Sequence, residues 1–371
     1  MTIFGELDNQ GEFNNQGNMS FFESYDPYYG VSQAQLNNAG VFNNFSGIDT
    51  VNGLIVNNTG VFNNTGQIIS YDNFVINNYG VFNHGAIGDY MYNPMSFVGN
   101  SKLNNYGEFN NYAEVNGNEF IAGELVNIGV FNNNHLVRNF SKTSNYGTIN
   151  NNWNFETGFN NELSNRMNGI INNNEYANLV INGNSLVNNQ GIINNKTAAN
   201  INLDYGSVIN NSGVINNDGN INGSGSINNT GIIQNNQIIS LNGFDSVINS
   251  SGSIVNNGEL VASQIVINGG SLSGNGDVYV GNGLVITEAG TLAPGNSTGE
   301  MHIYGDLFLD GALDMEIDPL GMGPWNDTIY VSQGVVISET SVLNVSFLSD
   351  YEYYLGQSFD LIFAQSITGD F

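Results

Sequence analysis

The chain of 371 residues has no cysteine, which excludes disulfides and thiolate metal sites. It is almost as poor in cations: Lys and Arg number 5 against 33 Asp and Glu, a formal charge of −28. A surface of that sign repels nucleic acid and anionic lipid headgroups and disfavours acidic polysaccharides. Lys102, Arg138, Lys142, Arg166 and Lys196 are scattered and form no basic patch in the sequence. No apolar run reaches the roughly 18 residues of a membrane-spanning helix. Charged residues make up only 10% of the chain, yet 40% hydrophobic content with abundant Phe, Tyr and Ile argues against disorder. Uncharged Asn, Ser, Thr and Gly must therefore supply the polar surface. The opening Met1-Thr2-Ile3-Phe4-Gly5 carries neither a basic n-region nor an apolar h-region. The expectation is that a leader is missing from this chain or that export uses another route.

What the chain has in abundance is one phrase, Asn-Asn-x-Gly-apolar-apolar-Asn-Asn. It reads Asn37-Asn38-Ala39-Gly40-Val41-Phe42-Asn43-Asn44, then Asn57-Asn58-Thr59-Gly60-Val61-Phe62-Asn63-Asn64, then Asn77-Asn78-Tyr79-Gly80-Val81-Phe82-Asn83. Later copies exchange Phe for Ile, as in Asn210-Asn211-Ser212-Gly213-Val214-Ile215-Asn216-Asn217. Most neighbouring phrase glycines, such as Gly40, Gly60, Gly107, Gly129 and Gly147, are 18 to 22 residues apart, a length suited to one turn of a solenoid. A finer beat of six runs through Ile209, Ile215, Ile221, Ile227, Ile233 and Ile239. Six residues accommodate a short strand and a corner, so three such units close a triangular coil.

Asn, Gly, Ile, Val and Phe are middling to poor helix formers, and the apolar three favour strands. The sequence therefore predicts an all-β chain, a single-stranded parallel β-helix with about 18–22 residues per rung. Asn and Gly are expected at corners because they tolerate positive φ. At least one Asn of each pair is expected to stack on its equivalents about 4.8 Å apart and to hydrogen-bond along the axis, satisfying amides that burial would otherwise penalise. None of the prolines, Pro27, Pro94, Pro294, Pro319 and Pro324, interrupts a phrase.

Two intervals are longer than the rest. Gly11 to Gly40 holds Phe21, Phe22, Tyr25, Tyr28 and Tyr29, and Gly80 to Gly107 holds Tyr90, Tyr92 and Phe97. Both read as loops or widened rungs whose aromatics are the candidate partner-binding residues; packing against the coil as a local cap is the alternative.

Near Gly269 Asn becomes sparse, which divides the chain into an Asn/Gly-rich segment 1–268 and a C-terminal segment 269–371. The latter carries Gly290-Thr291-Leu292-Ala293-Pro294-Gly295-Asn296-Ser297-Thr298-Gly299 and then the alternation Leu307, Leu309, Leu313, Met315, Ile317. On these residues, 269–371 resembles the C-terminal autochaperone region of bacterial autotransporter passengers. The resemblance implies a right-handed β-helix displayed outside a Gram-negative cell, whose C-terminal end leaves the membrane pore first and nucleates folding. It also implies an outer-membrane translocator barrel as partner. No barrel follows Phe371, so the expectation is a fragment or the passenger alone.

Chemistry is hard to find in this sequence. Asp306, Asp310, Asp314, Glu316 and Asp318 cluster, but Asp314, Glu316 and Asp318 alternate with apolar residues as on one solvated strand face. His84, His135 and His302 are far apart and read as surface residues at corners. Gly274-Asn275-Gly276-Asp277 matches a calcium-binding glycine-aspartate repeat only once. No cofactor, metal or catalytic set is expected. The leading expectation is a non-catalytic, surface-exposed adhesin-type stalk that binds a protein or glycan on a host or neighbouring cell. The alternatives are a carbohydrate-active β-helix, hydrolytic or tailspike-like, and a fibre protein that associates through its Asn-rich sides.

Overall fold

The computed structural model describes the chain except for residues 27–29, 51–52, 71–72, 86–93, 118–122, 296, 319–322 and 349–355. The described residues contain strands and no helix. They fall into two compact units, Met1–Asn194 and Asn195–Phe371.

In the first unit a turn of coil consists of three short strands. Leu54–Asn58, Val61–Asn64 and Ile68–Ser70 make one turn, and Val75–Asn78, Val81–His84 and Met95–Phe97 make the next. Equivalent strands pair in parallel and in register, with Val56 on Leu36 and Ile76, and Phe62 on Phe42 and Phe82. Side chains alternate in and out, so Val61–Asn64 sends Phe62 and Asn64 inward, Leu54–Asn58 sends Leu54, Val56 and Asn58, and Ile68–Ser70 sends Ile68 and Ser70. This is the β-solenoid expected from the repeat. The second unit repeats the scheme on the six-residue beat, pairing Ile209 with Ile227, Ile215 with Ile233 and Ile221 with Ile239, all fully buried.

The interior of the first unit is a column of rings. Phe13, Phe42, Phe62, Phe82, Phe109 and Phe131 stack with centroids 4.5–5.0 Å apart and nearly parallel planes. Each contact adds about 0.5–1.5 kcal/mol to the burial term. The same column position is taken by Ile149 and Ile171 further along.

Beside the apolar column runs the amide ladder. Asn9, Asn38, Asn58, Asn78, Asn105, Asn127, Asn145 and Asn165 each donate Nδ2 to the Oδ1 of the next, at 2.7–2.8 Å, ending on Asn189. Their amide orientation is fixed by the backbone, because the same Nδ2 also donates to a carbonyl one turn on, as Asn58 does to Val81 O at 2.9 Å. A second buried ladder starts at Asn15, Asn44 and Asn64. The outward Asn of each pair forms ladders too, and these run the opposite way: Asn57 donates to Asn37, Asn77 to Asn57 and Asn104 to Asn77. Both members of the pair are therefore used, one inside and one outside.

Positive φ falls mostly on Asn and Gly, as expected, for example Asn139 (63°), Asn160 (58°), Gly5 (90°) and Gly223 (134°), but not on phrase glycines such as Gly60 and Gly80. Gly60 is needed because its corner lies directly on the preceding one, where a Cβ would stand 2.1 Å from Gly40 O. Gly80 and Gly129 meet the carbonyls of Gly60 and Gly107 in the same way.

The change of composition near Gly269 lies inside the second unit, and strand pairing runs through it without a break. What changes is the ladder. Asn211 donates to Asn229 and Asn229 to Ser250 Oγ. From there the same buried position is occupied by Ile267, Ile286, Leu309 and Ile337, an aliphatic column in place of amides.

Candidate functional site

The aromatics singled out in the two long intervals separate. Phe21 and Phe97 are fully buried, in strands Met19–Phe22 and Met95–Phe97, which are sides of the coil and not loops. Phe97 stacks on Phe74 at 5.1 Å. Neither ring can meet a partner, which corrects the expectation for both. Phe22 is half-buried and stacks on Phe4 at 5.4 Å. Tyr25 lies in Ser24–Asp26, which pairs antiparallel with Gly30–Ser32, so here a hairpin does leave the parallel coil. Tyr28, Tyr29, Tyr90 and Tyr92 lie outside the described residues.

The exposed aromatics gather elsewhere. In the first unit the variable corner residue of successive phrases is Tyr79, Tyr106, Ile128 and Tyr146, between 40% and 56% exposed. Each corner rests on the previous turn through a backbone bond, such as Tyr106 N to Asn78 O and Tyr146 N to Asn127 O. That register brings Tyr79 and Tyr106 face to face at 4.6 Å and 5°. The Arg166 guanidinium lies 6.0 Å from the Tyr146 ring centre at the end of the ridge. The stacked faces cover each other, so the ridge offers ring edges and hydroxyls. The signal was in the sequence as the x of Asn-Asn-x-Gly, read there only as a spacer.

In the second unit two outward columns lie side by side. His302, Tyr330 and Phe363 stack at 5.0 and 5.1 Å, with interplanar angles of 12° and 9°. Tyr279 and Tyr304 stack at 4.4 Å and 6°. Between and above them is an open depression of about 390 Å³, within the usual range of about 300–1,000 Å³ for ligand clefts. His302 Nδ1 lies 3.6 Å from Asp277 Oδ1 at its edge. Asp314 and Glu316 point outward from strand Ala312–Ile317 while Leu313, Met315 and Ile317 are buried, the solvated face read from the alternation.

Among the described residues three titratable groups are buried, His84, Asp327 and Glu114, the last paired with Arg138 at 2.7 Å. His84 is not a surface residue: it occupies an Asn position in the second amide ladder. Asn64 Nδ2 approaches His84 Nδ1 at 3.0 Å, and His84 Nε2 lies 3.1 Å from Glu114 O. An amide nitrogen can only donate, so Nδ1 accepts and the proton sits on Nε2. Burial holds the His84 pKa down at about 4; the bond to Glu114 O opposes this and the neighbouring His135 adds to it. Asp327 accepts from Gly299 N at 2.8 Å and Glu316 N at 2.6 Å, tying Gly299 to the end of Ala312–Ile317. Burial raises its pKa to about 6 against those two bonds. Among the described residues no group of three or more His, Cys, Asp or Glu could hold a metal ion.

The chain matches no family model and no curated relative. Its function is therefore argued from the fold and the two aromatic surfaces.

Proposed function

We propose that this chain is a surface-displayed, non-catalytic adhesin of the autotransporter passenger type, mediating attachment to a host or neighbouring cell. The observation that carries the reading is the register of its exposed aromatics. A solenoid sets one outward position above another at about 4.8 Å, so repeating an aromatic at that position builds a continuous amphipathic strip. Tyr79, Tyr106 and Tyr146, with the aliphatic Ile128 before the last, do this at a corner, where no packing demand calls for large side chains. Exposed Tyr suits contact with sugars and protein surfaces alike, and such patches mark interaction sites. The resemblance of 269–371 to autochaperone regions supports display on a Gram-negative cell. The aliphatic column from Ile267 to Ile337 suits a segment that folds first, because it needs no amide partner from a neighbouring turn.

The test is attachment of Gram-negative cells that display the chain on a fused translocator barrel. Displaying cells should adhere or aggregate several-fold more than cells with the barrel alone, and Tyr79→Ser with Tyr106→Ser and Tyr146→Ser should reduce that gain at equal surface expression. Unaltered attachment, together with cleavage of glycans by the purified protein, would transfer the reading to a carbohydrate-active enzyme. Filaments in light scattering would favour instead a self-associating fibre built on the outward ladders such as Asn37, Asn57, Asn77 and Asn104.

A further inference from the structure

We propose that the slot above Tyr304 in the second unit binds a neutral pyranose of a surface glycan, stacked on the Tyr304 ring. The proposal rests on the attachment reading and deepens it by naming a ligand class.

One outward position on successive turns reads Tyr279, Tyr304, Ser332. Tyr304 stands in register on Tyr279. The backbone then carries Ser332 over it, with Ser332 N bonded to Ile303 O at 2.8 Å, and on the following turn Gln365 N bonds to Gln333 O at 3.0 Å, which seats Gln365 beside Ser332. Tyr279 covers one face of Tyr304 at 4.4 Å. On the other face the next residue ends at a hydroxyl, and that Oγ is turned back to accept from Gly305 N at 3.0 Å. The neighbouring column, His302, Tyr330 and Phe363, continues without a gap and forms a wall. Gln365 closes the far side, its Nε2 donating to Ser332 O at 2.8 Å. A row of rings thus has one ring missing, and the vacancy opens into the 390 Å³ depression.

A ligand that completes the row must be a ring with apolar faces. With the Gln365 amide nitrogen engaged, its Oε1 and the Ser332 hydroxyl remain at the rim, and they suit a ring with hydroxyls around its edge. A pyranose has both features. Charge narrows the class further. Lys196 is the sole Lys or Arg between residues 195 and 371, so a carboxylated sugar finds little counter-charge there and meets the field of an acidic chain. A quaternary ammonium would suit that field, but the rings lie in parallel rows and leave one open face. They do not converge as the walls of a cation cage do.

The test uses the purified full chain, with calorimetric titration and saturation-transfer NMR against lactose, maltotriose and N,N′-diacetylchitobiose, and with sialyllactose and tetramethylammonium as contrasting arms. At least one neutral glycan should bind. Ser332→Tyr supplies the missing ring and should weaken that binding about tenfold or more without lowering the melting temperature; Tyr304→Ala should weaken it comparably. Three results overturn the proposal: no neutral glycan binds, binding survives both substitutions, or tetramethylammonium or sialyllactose is preferred. The attachment reading fails separately. Displayed protein that leaves attachment unchanged removes that reading whatever the solution titration shows, and solution binding that ignores Ser332→Tyr removes the slot whatever the cells do.

Discussion

Asn127→Asp should destabilise the first unit by about 3–5 kcal/mol at neutral pH, far more than its near-identical shape suggests. Asn127 Nδ2 donates to Asn145 Oδ1 at 2.8 Å, Thr148 O at 2.9 Å and Gly129 O at 3.2 Å. A carboxylate there turns a donor into an acceptor facing three acceptors, and it places a charge where no cation can reach it. Asn127→Leu removes the donor without adding the charge. It leaves carbonyls such as Thr148 O short of a partner, at about 1–3 kcal/mol each, so it should fall between wild type and the Asp variant. The pH dependence separates the two. Burial raises the folded-state pKa of the new Asp above its unfolded value. The deficit is therefore largest above the raised pKa and shrinks as pH falls and the carboxyl regains a proton to donate. Urea midpoints between pH 4 and 8 measure this, with amide exchange in the flanking turns showing whether the loss stays local. Equal deficits for Asp and Leu at pH 7 would falsify the ladder as the source of the effect.

The second large effect belongs to His84. Its folded-state pKa of about 4 lies below the ordinary histidine value of 6.5. A depressed pKa means that the unfolded chain takes up the proton first. The contribution is present in full above pH 6.5, declines as pH falls, and is gone below about 4, a total of about 3 kcal/mol. Protonation would also give Nδ1 a hydrogen aimed at the Asn64 amide, which is itself a donor. His84→Asn restores the ladder residue found at the equivalent positions Asn64 and Asn111. It should match or exceed wild type at pH 7.5 and exceed it by about 2–3 kcal/mol near pH 4.5. Other groups titrate in the same interval. Burial raises Glu156 from its ordinary value, with Arg138 opposing, so it acts in the opposite direction. The difference between wild type and variant isolates the histidine; parallel stability curves for the two would contradict the assignment.

The architecture was legible because its two signals are local. Ile209 to Ile239 at every sixth residue all point inward, and the Asn pairs recur in phase with them. The ladder followed from one rule, that buried amides need partners. The surfaces were harder to read because they depend on register across unequal turns. Tyr279, Tyr304 and Ser332 become neighbours only once their strands are aligned, and nothing in their sequence spacing marks them. Phe21 and Phe97 misled for the opposite reason. They border stretches that look like loops, Phe21 just before one and Phe97 just after another, but each belongs to a third side of the coil that takes the ring into the core. His84 could have been found by alignment, since it stands where Asn44 and Asn64 stand in the preceding phrases.

Because the inner Asn residues from Asn38 to Asn165 each give one amide hydrogen bond forward and receive one from behind, those turns present the same ladder chemistry above and below. Excising residues 59–78, one repeat of 20, would leave Asn38 on Asn58 and set Asn58 against Asn105 in the relation that Asn78 now has with it. Gene duplications and deletions in whole-repeat steps are then nearly neutral for folding, whereas any other step breaks the phase. Length becomes a freely adjustable trait, altered one turn at a time without redesigning a single contact.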